Sequence, residues 1–133
     1  MILLSAVMIS AATSCSDVAY SKRGKDYSQY LSLGDALRSD GRLFVDGYAN
    51  NFIVKLKANR NSINNIGYAG KTTVLFVLNN KILGYDYQSV ASQVLPSDIL
   101  RIKVLNGSEA IMAYGDQGSG GVVEVVTKDT SAK

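Results

Sequence analysis

Six consecutive residues, Thr73 to Leu78, read TVLFVL, and no other stretch of the chain restricts the fold as tightly. Successive side chains of a strand point to opposite sides, so a run that is β-branched or apolar at nearly every position suits a strand buried on both faces. The flanks agree with that reading. NSINNIGYAG before the run is loop by its Asn and Gly content, and Asn79-Asn80 after it makes a turn into a short return beginning at Ile82-Leu83.

Other segments predict half-covered strands and short helices. Phe52, Val54 and Leu56 alternate with Ile53, Lys55 and Lys57, giving one apolar and one largely basic face. Leu43 to Val45 is a second extended piece, joined to the first through Asp46-Gly47. From Leu100 to Val104 the apolar set Leu100, Ile102 and Val104 alternates with Arg101 and Lys103. Val122 to Thr127 is a final strand. Tyr30, Leu33 and Leu37 lie along one face of a helix, with Gly41 as its C-terminal stop. Ser108 to Tyr114 is a short helix, whereas DYQSVASQVL reads equally as a helix or as an extended loop around Val90 and Val94. Pro96 breaks the chain, and Ser97 or Asp98 is able to cap a single turn. Strands interleaved with short helices imply a small α+β domain built on a mixed β-sheet.

Residue usage removes most enzyme classes. The 133 residues include no histidine and one cysteine, so His-based acid–base chemistry, His/Cys metal cages and an internal disulfide are all unavailable. Asp46, Asp86, Asp98 and Glu109 carry no spacing that forms a carboxylate pair. Ser108 lacks both the glycine frame of a nucleophile elbow and a histidine to activate it. The reading is therefore a non-enzyme with no metal and no small-molecule cofactor. The formal charge of +3 concentrates in two clusters, Lys55, Lys57 and Arg60, and Arg101 with Lys103. These form solvated strand faces or a partner-facing surface; no nucleic-acid motif accompanies them, and no nucleic-acid partner is expected.

The N-terminus MILLSAVMISAATSC is uncharged and apolar from Ile2 to Ala12, too short to span a bilayer but suited to a signal-peptide core followed by small residues. Ala12-Thr13-Ser14-Cys15 resembles a lipobox, which implies residues 1–14 as a lipoprotein signal peptide and Cys15 as the acylated anchor. A polar tether, 15–29, then leads to a domain over 30–128, with 129–133 as a frayed tail.

GDQGSGG, Gly115 to Gly121, raises the question of a phosphate cradle. It lacks the terminal Gly-Lys-Ser/Thr and leads into a strand, so no helix N-terminus is there to hold an anion. NNIGYAGKTT imitates the motif more closely, but Asn65 stands where the first glycine is required. The glycines instead permit positive backbone angles and close strand packing, with Tyr114 pinning the turn to the sheet.

Taken in order, SLGDALRSDG, FIVKLKANRNSIN, VLFVLNNKILG and LPSDILRIKVLNGSEAIMAYGDQGSGGVVEVVTK resemble the plug domains of TonB-dependent outer-membrane receptors, above all those of Bacteroidetes nutrient-uptake receptors. The likeness runs from about Leu31 to Lys128, and its C-terminal third is the distinctive part. Pro96, Asp98, Gly107, Tyr114, Gly115, Gly118 and Gly121 fall on motif positions that the resemblance assigns to structure. A barrel of roughly twenty strands of about ten residues exceeds 133 residues. The resemblance thus implies a free-standing plug, anchored to the outer membrane on its periplasmic side. It would occlude or gate the β-barrel of another chain, either a protein translocon such as the type IX secretion pore or a nutrient receptor. The alternative is a periplasmic adaptor or ligand-binding lipoprotein that keeps the plug fold without entering a barrel.

Overall fold

The computed structural model describes residues 24–48, 51–58 and 73–128. The protein is α+β, with two small sheets and three short helices among the described residues. In chain order the elements are α1 (Leu33–Arg38), β1 (Leu43–Tyr48), β2 (Asn51–Leu56), β3 (Leu75–Leu78), β4 (Lys81–Gly84), α2 (Tyr87–Ala91), β5 (Ile99–Leu105), α3 (Gly107–Tyr114) and β6 (Val122–Thr127). Single 3-10 turns occupy Pro96–Asp98 and Gly115–Gly118.

The strands β4-β3-β6-β5 form one mixed sheet, in which β3 and β6 run parallel and both outer pairs run antiparallel. TVLFVL carries β3, one of its two interior strands, and Val74 to Leu78 are all buried. Val74, Phe76 and Leu78 enter one core with Val104, Val123 and Val125, whereas Leu75 and Val77 enter a second with Leu105, Ala110 and Val122. The two-sided apolar strand is thus the element that forces cover onto both faces of the sheet.

The larger core is closed by α1, α2 and the antiparallel hairpin β1-β2. Phe52, Val54 and Leu56 point inward while Ile53 and Lys57 are exposed, as the alternation predicts. Phe52 meets the Tyr87 ring edge-on at 5.1 Å, and the Tyr87 hydroxyl accepts the Gly34 amide at 2.9 Å, tying α1, β2 and α2 together. Both helices begin at side-chain caps. The Asp35 amide donates to Ser32 Oγ at 3.1 Å, and the Gln88 amide donates to Asp86 Oδ1 at 3.2 Å, which selects the helix over the loop for DYQSVASQVL.

Several expectations are corrected. Asp46-Gly47 is not the hairpin turn: both residues lie within β1, paired with Ile53 and Phe52, because Gly47 takes φ 128° and keeps the ladder intact. Gly41 does not stop α1; the helix ends at Arg38, and the Ser39 amide turns back to the Asp35 carbonyl. Neither Ser97 nor Asp98 caps the turn after Val94, which is closed by the Asp98 amide on the Leu95 carbonyl at 2.9 Å with Pro96 in its first position. Leu100 does not face the core. A bulge between Ile99 and Arg101 shifts the register, leaving Leu100 43% exposed and burying Ile99 instead. The packed body begins inside the expected tether, since Tyr27 is 7% exposed in the larger core and Tyr30 packs beside it ahead of α1. Among the described residues no helix is long and apolar enough to cross a membrane.

Candidate functional site

The unit β5-α3-β6 carries most of the residues singled out in the sequence. The chain leaves β5 at Leu105, forms α3 over one face of the sheet, passes through the glycine-rich 3-10 turn and returns antiparallel as β6. Gly107 opens α3 at φ 50° with open space around it, and Gly115 closes it at φ 63°. Gly118 and Gly121 are fixed by contact rather than by dihedral alone. A Cβ on Gly118 would collide with the Ala110 carbonyl and lie 3.3 Å from Val122 Cγ2. Gly121, at φ 98°, would drive a Cβ into the buried Leu56 side chain, with Cγ 2.6 Å away. GDQGSGG is therefore a close-packed seam between the sheet, α3 and the hairpin.

Tyr114 pins that seam as the sequence suggests. Its hydroxyl donates to Glu124 Oε1 at 2.7 Å, across the width of β6, while the ring packs on the smaller core. Lost hydration, followed by the hydrogen bond and the charge of Glu124, pushes the Tyr114 phenol up to about 12. Tyr85 fastens the other side of the turn by donating to the Gln117 carbonyl at 3.1 Å. Glu124 and Tyr85 carry no local pattern that marks them. Their roles arise from strand order, which brings partners 10 and 32 residues apart into contact.

Beyond α3 the same sheet face turns polar. Arg101 and Lys103 stand in register with Val126 and Glu124, and both basic residues are exposed. Lys103 Nζ lies 3.5 Å from Glu109 Oε1 on α3, an ion pair open to solvent and worth little. The second basic cluster is not brought to this face. Lys55 lies on β2 in the other sheet and Lys57 just past its end, no described contact joins them to Arg101 or Lys103, and Arg60 and Cys15 lie outside the described residues. Pro96 and Asp98 sit at the opposite end of β5, where Asp98 is exposed.

The carboxylates weighed for catalysis are spread over β1, the cap of α2, the turn before β5 and α3. Among the described residues no group of three or more His, Cys, Asp or Glu side chains is placed to hold a metal ion. Compared with known proteins, the chain matches no family model and no curated relative. What the surface of this unit presents is a packed face, exposed basic side chains and a sheet edge.

Proposed function

We propose that this chain is a plug-like domain that occludes or gates a large outer-membrane β-barrel in trans, held at the periplasmic side of the membrane by acyl chains on Cys15. The observation that carries the reading is the run from Pro96 to Val122. Its order of turn, strand, glycine-entered helix, tyrosine latch and tight glycine seam is the order in which it resembles the receptor plugs. A body packed on both sheet faces, with charged side chains on its surface, suits insertion into a barrel lumen, which is polar and wet. The host would be a wide pore that needs sealing when idle, a protein translocon such as the type IX secretion pore or a nutrient receptor.

The test is a mild-detergent pull-down from native membranes through a tag after Lys133, with Cys15→Ser as the control. A single large β-barrel recovered in near-equal amount supports the proposal and identifies the pore. Recovery of soluble envelope proteins without a barrel overturns it in favour of an adaptor role. Deletion of the gene should in parallel admit large antibiotics across the outer membrane, and unchanged permeability would count against sealing.

A further inference from the structure

We infer that the outer edge of β5 is a docking site for an extended acidic segment of another protein, which adds to the sheet as a fifth strand. The inference is independent of barrel occlusion. The hydrogen-bond pattern of β6 sets which groups are available. The carbonyls of Gly121 and Val125 accept amides at the β3 side, from Leu75 at 2.8 Å and Asn79 at 2.9 Å. Backbone groups alternate sides along a strand, so Val122, Glu124 and Val126 serve β5, through their partners Leu105, Lys103 and Arg101. The intervening residues, Ile102 and Val104, must point their amides and carbonyls away from the sheet. The Val104 carbonyl confirms the direction, since it accepts from Arg42 Nη1 at 3.1 Å. Among the described residues nothing bonds to the Ile102 amide, the Ile102 carbonyl or the Val104 amide from the outer side; Ile102 is half-buried, whereas Val104 is buried, so pairing at Val104 requires the Arg42 side chain to move aside.

The flanking side chains choose the occupant. Arg101 and Lys103 rise on one face of the edge, Lys103 beside Glu109 in a solvent-open pair, and Ile102, half-buried, lies on the other. A second copy pairing antiparallel through Ile102 would set Arg101 directly against Lys103, a like-charge contact that disfavours self-association. A strand alternating acidic and apolar residues reverses the sign: its carboxylates fall opposite Arg101 and Lys103 while its apolar residues extend the Ile102 face. Lys25, Lys128 and the carboxylate of Asp26 line the cleft that opens beside Ile99 and Leu100 at the start of the same strand, leaving a small excess of positive charge there. Such strand addition takes affinity from main-chain bonds and specificity from alternate side chains.

The probe is the peptide acetyl-Glu-Val-Glu-Val-Glu-Val-Glu-amide, titrated into the 15N-labelled full chain with amide exchange as the readout. Binding should slow exchange at Ile102 and Val104 by about tenfold or more at saturation, leaving Arg101 and Lys103, already bonded to β6, unchanged. The Ile102→Pro variant should stay folded, because that amide serves no ladder bond, and should lose the peptide. Reversing both charges, Arg101→Glu with Lys103→Glu, should weaken binding about tenfold and admit the Lys-Val counterpart, two exposed attractions having become repulsions. The proposal is overturned if the peptide does not bind, or binds without protecting Ile102 and Val104. It is also overturned if those amides in the free protein are already as protected as Arg101 and Lys103, which would mean that another segment of this chain occupies the edge.

Discussion

At Gly121 two separate demands meet, and they rank the glycines of the seam by cost. The residue holds φ 98° and faces the buried Leu56 side chain, whereas Gly107 holds φ 50° with nothing near an added Cβ. Gly121→Ala should therefore destabilise by about 2 to 4 kcal/mol, a left-handed penalty plus overpacking, and Gly107→Ala by only about 1 kcal/mol. Urea titrations of the two variants check the order, and equal losses would show that Leu56 yields freely. The Tyr114 phenol supplies a second prediction. Its folded pKa, about 12, stands above the unfolded value of about 10, so the neutral form is the one folding favours. The contribution is complete below about pH 10 and disappears as pH rises through about 12. Tyr114→Phe should lower the thermal midpoint at pH 8 and narrow its gap to the wild type by pH 11.5. Tyr87, whose phenol burial also raises, remains in both proteins and drops out of the difference.

Among the elements, the β3-β4 hairpin shows how a local signal acquires a long-range task. Asn79 and Asn80 adopt φ 48° and 67°, the left-handed pair that a two-residue turn of primed type requires. Asn79 also ties the turn to the end of β6: its Oδ1 accepts the Thr127 amide and its Nδ2 donates to Thr127 Oγ1, both at 2.9 Å. Asn79→Ala should cost about 2 to 3 kcal/mol, from two hydrogen bonds and a disfavoured dihedral, whereas Asn80→Gly should stay within about 0.5 kcal/mol of the wild type. Chemical denaturation separates them. The turn itself was legible in the sequence because its signal is local, as were β2, β6 and the doubly buried β3, whose periodicities match their burial. Asp46-Gly47 misled because a turn-forming pair can also sit inside a strand, where Arg38 Nη2 reaches the Gly47 carbonyl at 3.1 Å. The bulge at Leu100 left no composition signal, since Ile99 and Leu100 are equally apolar and only the β6 register decides which is buried. Tyr114 was foreseeable as the pin of the glycine seam, but Glu124 as its acceptor and the edge position of β5 both required the strand order.

For the molecule as a whole, the decisive question is whether the two sheets are one cooperative unit. No ladder connects the β1-β2 hairpin to the four-stranded sheet beyond the Val74 amide on the Val54 carbonyl at 3.1 Å among the described residues. Side chains connect them far more extensively. Leu43, Phe52, Val54 and Leu56 of the hairpin share a core with Phe76, Val123 and Val125 of the sheet, and Leu37 of α1, fully inaccessible to solvent, lies in that core. Truncating Leu37 leaves a cavity within that shared core, so Leu37→Ala should cost about 2 to 5 kcal/mol. Neither sheet can retain its packing when the shared core is lost. The methyl resonances of Val54 and Val125, followed through a urea titration, should disappear at one common midpoint in the wild type and at a lower common midpoint in the variant. If Val54 were lost first while Val125 persisted, the hairpin would be a separately melting attachment, and the proposed role as a single occluding body would lose its physical basis.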